Sequence, residues 1–165
     1  MEFNKNRGIA KEHPKTYLIQ SLAALIFFFI WIIDSFIFMF STILANYIPF
    51  NISLILFLAL TIIGLFLIFL TGHILFHKGD VASKLIKTGI FSYTRHPLYL
   101  GVLILYLGFI FLSMSLVSII GLIIVFILYD RIASFEENDL EKVFQEEYVE
   151  YKKNVPKWIP SFKKR

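Results

Sequence analysis

The heptapeptide Arg95-His96-Pro97-Leu98-Tyr99-Leu100-Gly101 sets a cation, an imidazole and a phenol around a proline suited to start a helix. At the first helical position the N–H that proline lacks would have no partner anyway. The turn that follows offers unpaired backbone N–H groups and the positive end of the helix dipole. With Arg95 and His96 beside it, this is chemistry for a carboxylate or a phosphate. Glu136-Glu137 supply the opposite charge. Basic groups for a carboxylate and acids for an ammonium together suit a zwitterionic amino-acid moiety. A plainer reading stands alongside: a basic boundary residue before a helix-starting proline, and two acids opening a solvated helix.

The elements that must position these residues belong to a membrane protein. The chain has 165 residues, of which 58% are hydrophobic and 17% charged, with a mean hydropathy of +0.74. Soluble domains are typically about 45–50% apolar and about 25% charged. That excludes disorder, a basic nucleic-acid tail and an ordinary water-soluble core. The expected fold is all-α and integral to the membrane, as a single domain with four transmembrane helices. The spans run over about 17–45, 52–76, 97–113 and 116–135. Residues 77–96 form a polar loop and 136–165 a tail. Met1 to Lys15 is polar and mixed in charge, without the pattern of a cleaved signal peptide.

All 16 Lys and Arg fall before the first span, between the second and third, or after the fourth. Asn46–Asn51 and Ser113–Ser115 carry none, which predicts both termini in the cytoplasm. Seventeen residues back from Met114 lies Pro97 and seventeen forward lies Arg131. A tight hairpin of the third and fourth helices therefore brings both to similar depth. Glu136 and Glu137, about one turn on, should project just below the start of the third helix. In the tail, Leu140, Val143, Phe144, Tyr148 and Tyr151 recur at helical spacing over Glu136–Tyr151, which predicts an amphipathic cytoplasmic helix ended by Pro156 and Pro160. Trp158 suits the membrane interface, and the tail lysines suit anionic lipid.

Other residues frame the chemistry. With no cysteine, disulfides, thiolate metal sites and cysteine nucleophiles are excluded. His73 and His77 have metal-ligand spacing but no third ligand nearby, so no metal is expected. Asp34 interrupts the first apolar block, where an acid is functional, lies near the outer half of the span, or pairs with a hydroxyl. The glycines Gly64, Gly72, Gly101 and Gly108 suit close helix packing.

The run Leu85-Ile86-Lys87-Thr88-Gly89-Ile90-Phe91, then Arg95-His96-Pro97-x-Tyr99-x-Gly101, Arg131, Glu136-Glu137, and Leu140 through Val155–Pro160 resembles the isoprenylcysteine carboxyl methyltransferase family. Related phospholipid methyltransferases share the Arg-His-Pro and paired-Glu elements. The resemblance covers roughly Ser83–Pro160, about half the chain. It implies a small multi-span enzyme using S-adenosylmethionine, with S-adenosylhomocysteine as product. The implied cofactor contacts are Ser83, Lys84, Leu85, Ile86, Phe91, Arg95, His96, Pro97, Leu98, Tyr99, Glu136 and Glu137. Arg131 is implied as the residue serving the acceptor's carboxylate. The family commonly has Gly-Pro-Tyr/Phe where this chain has Gly89-Ile90-Phe91, and Phe-Gly where it has Phe144-Gln145.

Methyl transfer from a sulfonium is an in-line displacement, so proximity and orientation can supply much of the catalysis. The expected partners are a lipophilic methyl acceptor and membrane lipids, with no nucleic acid; oligomeric state is open. Carboxyl methylation leads. Phospholipid N-methylation or small-thiol S-methylation fits the same scaffold. A non-catalytic membrane module that keeps the motif for packing is the alternative of another class.

Overall fold

The computed structural model describes residues 14–77 and 84–161, and every element among them is helical. In chain order these are α1 (Pro14–Ile32), a π-helical turn (Ile33–Phe38), a 3-10 turn (Ile43–Asn46), α2 (Phe50–His77), a second 3-10 turn (Gly89–Ser92), α3 (Pro97–Ser113), α4 (Leu116–Phe144) and α5 (Glu146–Asn154). Three stretches, Thr16–Phe38, Phe50–Leu75 and Leu116–Asn154, are long and apolar enough to cross a bilayer. α3 is apolar but shorter, at 17 residues.

α2 and α3 touch backbone to backbone. A methyl group added at Gly64 would stand 2.8 Å from the Gly101 carbonyl oxygen, and one at Gly101 would stand 2.9 Å from that of Gly64. Glycine at both positions is what lets the two helices come this close. α1 packs across α3 and α4 through Ala23, Phe27, Trp31, Leu103, Tyr106, Ile110, Val125 and Ala133, all buried. Phe27 stacks on Tyr106 with ring centroids 4.4 Å apart.

The first expected span is not one helix to residue 45. α1 passes into the π-helical turn, and the helix ends at Met39, whose φ is +48°. Asp34 gives the reason. Its buried carboxylate accepts from the Ser41 hydroxyl at 2.5 Å, the Ser115 hydroxyl at 2.6 Å and the Ser41 N–H at 3.2 Å. A carboxylate away from water needs donors, and the chain must fold back after Phe38 to deliver Ser41. Ser41 in turn holds the hairpin, with its hydroxyl accepting from the Val117 N–H and its carbonyl from the Leu116 N–H. The hairpin itself matches expectation. Met114 closes α3 at φ +53°, and Ser115 caps α4 by accepting from the Ser118 N–H.

The tail differs too. Glu136 begins no separate helix, because α4 runs unbroken from Leu116 to Phe144. The apolar run stops near Tyr129, but leaving an apolar run does not break helical hydrogen bonds, and no Gly or Pro intervenes after Gly121. The break comes at Gln145, with φ +46° and ψ −121°. This is a glycine-like conformation held by a side-chain-bearing residue. α5 then turns Tyr148 and Tyr151 into a small cluster with Leu85, Leu140, Phe144 and Val155, while Val143 stays exposed.

Candidate functional site

Pro97 does start α3, and His96 caps it with no side-chain hydrogen bond to the free N–H groups of the first turn. The segment before it is pinned by the chain's end. The Arg95 N–H donates to the Pro156 carbonyl at 3.0 Å, and the Ser161 N–H donates to that of Tyr93 at 3.0 Å. The buried Thr94 hydroxyl donates between the carbonyls of Lys157 and Trp158, at 2.9 and 3.1 Å. Residues 155–161 thus form a strap across the start of α3. The strap is anchored to α4 at Asp130, which accepts from Lys157 Nζ at 2.6 Å and from Trp158 Nε1 at 2.9 Å. Lys157 also reaches the Ser134 hydroxyl. It faces protein, contrary to the expectation that the tail lysines face lipid.

Within this frame the charged residues of the two motifs converge. Glu137, 5% exposed, projects from α4 to the start of α3. His96 Nε2 lies 2.9 Å from Glu137 Oε1, and Arg95 Nη1 lies 3.0 Å from the same oxygen. An ionised carboxylate only accepts, so Nε2 carries a proton in that bond. One turn into α3, the Tyr99 hydroxyl donates to Glu136 Oε1. The other Glu136 oxygen stands 3.8 Å from His96 Nδ1. The imidazole stacks parallel to the Tyr99 ring at 5.7 Å, and Trp158 tilts against it at 5.9 Å.

Two features of this cluster bear on a ligand. Arg95 is nearly buried, yet its Nε and Nη1 make no hydrogen bond. Nη1 is near Glu137 charge to charge, but its N–H is not aimed at the oxygen. Buried donors without acceptors cost free energy, and an anion placed there would satisfy them. The second feature is the pair His96 Nδ1 and Glu136 Oε2, 3.8 Å apart. With the ring proton on Nε2 and none on Nδ1, Nδ1 and Oε2 are both acceptors, which suits a positively charged N–H donor. A carboxylate at Arg95 and an ammonium at Glu136 are the two ends of an amino acid.

The remaining expected residues lie around this centre. Pro97 is fully buried, and Leu98 packs against the main core. The Phe91 carbonyl accepts from the Tyr151 hydroxyl at 2.6 Å, and Leu85 packs on the α5 cluster. Ile86 is half-buried and Lys84 exposed, while Ser83 lies outside the described residues. Arg131 is exposed and about 140° around α4 from Glu136, so it stands apart from the cluster. Among the described residues, no three His, Cys, Asp or Glu side chains group as metal ligands.

Sequence reasoning missed the strap and Gln20. The α1 residue Gln20 donates from Nε2 to the Tyr99 hydroxyl at 3.1 Å. A side-chain amide inside an apolar run was the available signal. Nothing in the spacing tied Asp130 to Lys157 and Trp158.

The chain is 38% identical over 93 residues to the protein-S-isoprenylcysteine O-methyltransferase of Saccharomyces cerevisiae, covering 54% of this chain and 38% of the yeast protein. It is 33% identical over 90 residues to the protein of that name from Schizosaccharomyces pombe, with the same coverages. It is 29% identical over 89 residues to protein-S-isoprenylcysteine O-methyltransferase B of Arabidopsis thaliana, covering 53% of this chain and 45% of that protein. The chain therefore spans less than half the length of these relatives. No solved structure gives a significant match. A family model described as "Protein of unknown function (DUF1295)" matches residues 3–155, and the chain belongs to that family.

Proposed function

We propose that this protein is an integral-membrane methyltransferase that takes its methyl group from S-adenosylmethionine and gives it to a lipophilic acceptor, with carboxyl methylation as the reaction. The observation that carries the reading is the pairing of unsatisfied Arg95 N–H groups with the nearby Glu136 carboxylate and His96 Nδ1 at the start of α3. The names of the relatives point the same way.

S-adenosylmethionine supplies an activated methyl group with its leaving group attached. The chain's residues then have to bind and aim. Arg95 and the first-turn N–H groups of α3 hold the donor's carboxylate. Glu136 and His96 Nδ1 hold its ammonium. Glu137 carries no ligand contact in this scheme; it fixes Arg95 and His96 in place. The half-buried ring of Phe91 is available to a sulfonium. Lys84, Leu85 and Ile86 wall the remainder. Arg131, exposed five residues before Glu136 on α4, meets an acceptor's carboxylate arriving from outside the cluster. That acceptor is ionised at neutral pH and needs no general base.

The topology that serves this is four spans with both termini and the 77–96 loop in the cytoplasm. α3, about 25 Å long, spans the roughly 30 Å hydrocarbon with local thinning. A polar donor then enters from water and a lipophilic acceptor from the side. The test is transfer of radiolabelled methyl from S-adenosylmethionine into total membrane extract by the purified protein. Label in a lipid-soluble, base-labile product is expected. Base-stable label would assign a methylamine or thioether product instead, and no label in any extract would overturn the enzymatic reading.

A further inference from the structure

We propose that Gln20, on the first membrane helix, is a positioning residue for the donor's ammonium end; this rests on the reading above. Gln20 is half-buried, and its amide Nε2 lies 3.1 Å from the hydroxyl of Tyr99, 79 residues away in the chain. That hydroxyl has one proton to give and lone pairs to accept with. The carboxylate of Glu136 only accepts, so the proton points to Glu136 Oε1. The Tyr99 oxygen is then left as an acceptor, and the Gln20 amide must present its NH2 group rather than its carbonyl.

The direction of this relay gives it a function. Donation into the Tyr99 oxygen polarises its O–H and strengthens the bond to Glu136. It also stops the hydroxyl from rotating away. With Oε1 held by Tyr99, Oε2 is the Glu136 oxygen that faces His96 Nδ1 at 3.8 Å. Gln20 thus sets the aim of a carboxylate it does not touch. It does so from α1, outside the loop, α3 and α4 that carry the rest of the constellation. Packing alone would be met by any side chain of similar length, whereas the relay requires a donor.

The experiment compares Gln20→Met, which keeps the length and loses the donor, with Gln20→Glu, which keeps the shape but offers only acceptors when ionised. Each is made alone and with Tyr99→Phe. S-adenosylhomocysteine affinity is measured by titration calorimetry in detergent, with steady-state constants for both substrates and a melting temperature for every variant. Gln20→Met is expected to raise the dissociation constant and the donor KM about 3- to 10-fold, the size of one neutral hydrogen bond. The kcat and the acceptor KM should stay as in wild type. Gln20→Glu should be worse, since a second acceptor competes for the Tyr99 proton. In the Tyr99→Phe background, Gln20→Met should add nothing. Wild-type affinity in Gln20→Met would overturn the inference and leave the methyltransferase reading standing. So would an effect that persists without the Tyr99 hydroxyl, or one that merely follows a fallen melting temperature. Failure of the wild-type protein to bind S-adenosylhomocysteine would overturn the reading itself, and the inference with it.

Discussion

Replacing Glu137 with Ala should destabilise the end of the bundle where α3 starts more than any other single change in the cluster. Glu137 is 5% exposed, and one of its oxygens serves both Arg95 and His96. Removing it leaves a guanidinium at 10% side-chain exposure with no counter-charge. Breaking a buried pair from one side costs about 3–5 kcal/mol, because the orphaned charge stays desolvated. For a chain of this size each kcal/mol lowers the melting temperature by about 2–4 °C, so a fall of roughly 6–20 °C is expected. Glu137→Gln keeps an acceptor for His96 and should fall less. Arg95→Leu combined with Glu137→Leu should recover part of the loss, since an apolar pair leaves no orphaned charge. The assay is thermal unfolding in detergent at one fixed scan rate. Lys87→Ala is the control. Lys87 pairs with Glu147, whose hydrogen bond raises the lysine pKa, but both side chains are about half exposed. Exposed pairs contribute little, so no measurable change is expected. A Glu137→Ala protein melting within about 2 °C of wild type would refute the claim that a buried ion pair joins the residues preceding α3 to α4.

Three further outcomes follow from the structure. Asp34→Ala removes the acceptor of two hydroxyls and an N–H at the far end of the bundle; melting should drop by the equivalent of about 2–4 kcal/mol, while S-adenosylhomocysteine affinity stays unchanged. Gln145→Gly relieves a positive φ at the α4–α5 junction; the gain, about 1 kcal/mol after glycine's own entropy cost, should raise the melting temperature by a few degrees. Arg131→Ala should raise the acceptor KM about tenfold or more and leave donor binding alone; an equal loss of donor affinity would place Arg131 in the wrong role.

What the sequence made legible was what local rules govern. Pro97 as first residue of α3 and the turn at Met114 follow from proline and hairpin chemistry. The meeting of Arg95 and His96 with the glutamate pair follows from counting residues on two equal arms. The π-helical turn after Ile32 and the helix end at Met39 were not legible, because they depend on where Asp34 finds hydroxyls, and Ser115 is 81 residues away. The continuation of α4 past Phe135 was misread because hydropathy marks where a helix leaves an apolar surrounding, not where its hydrogen bonds stop. Gln145 hid the true break, since glycine is the residue that signals such a φ. The strap and Gln20 depend on contacts across the bundle that carry no period or motif.

The account's central claim is that the start of α3 and the middle of α4 together bind the amino-acid end of the methyl donor. It is tested most directly by photocrosslinking radiolabelled S-adenosylmethionine to the purified protein and mapping the labelled peptides. Label is expected on peptides that contain His96–Tyr99 or Glu136, competed by S-adenosylhomocysteine and abolished in Glu136→Ala. Label confined to other segments, or unaffected by competition, would contradict the claim.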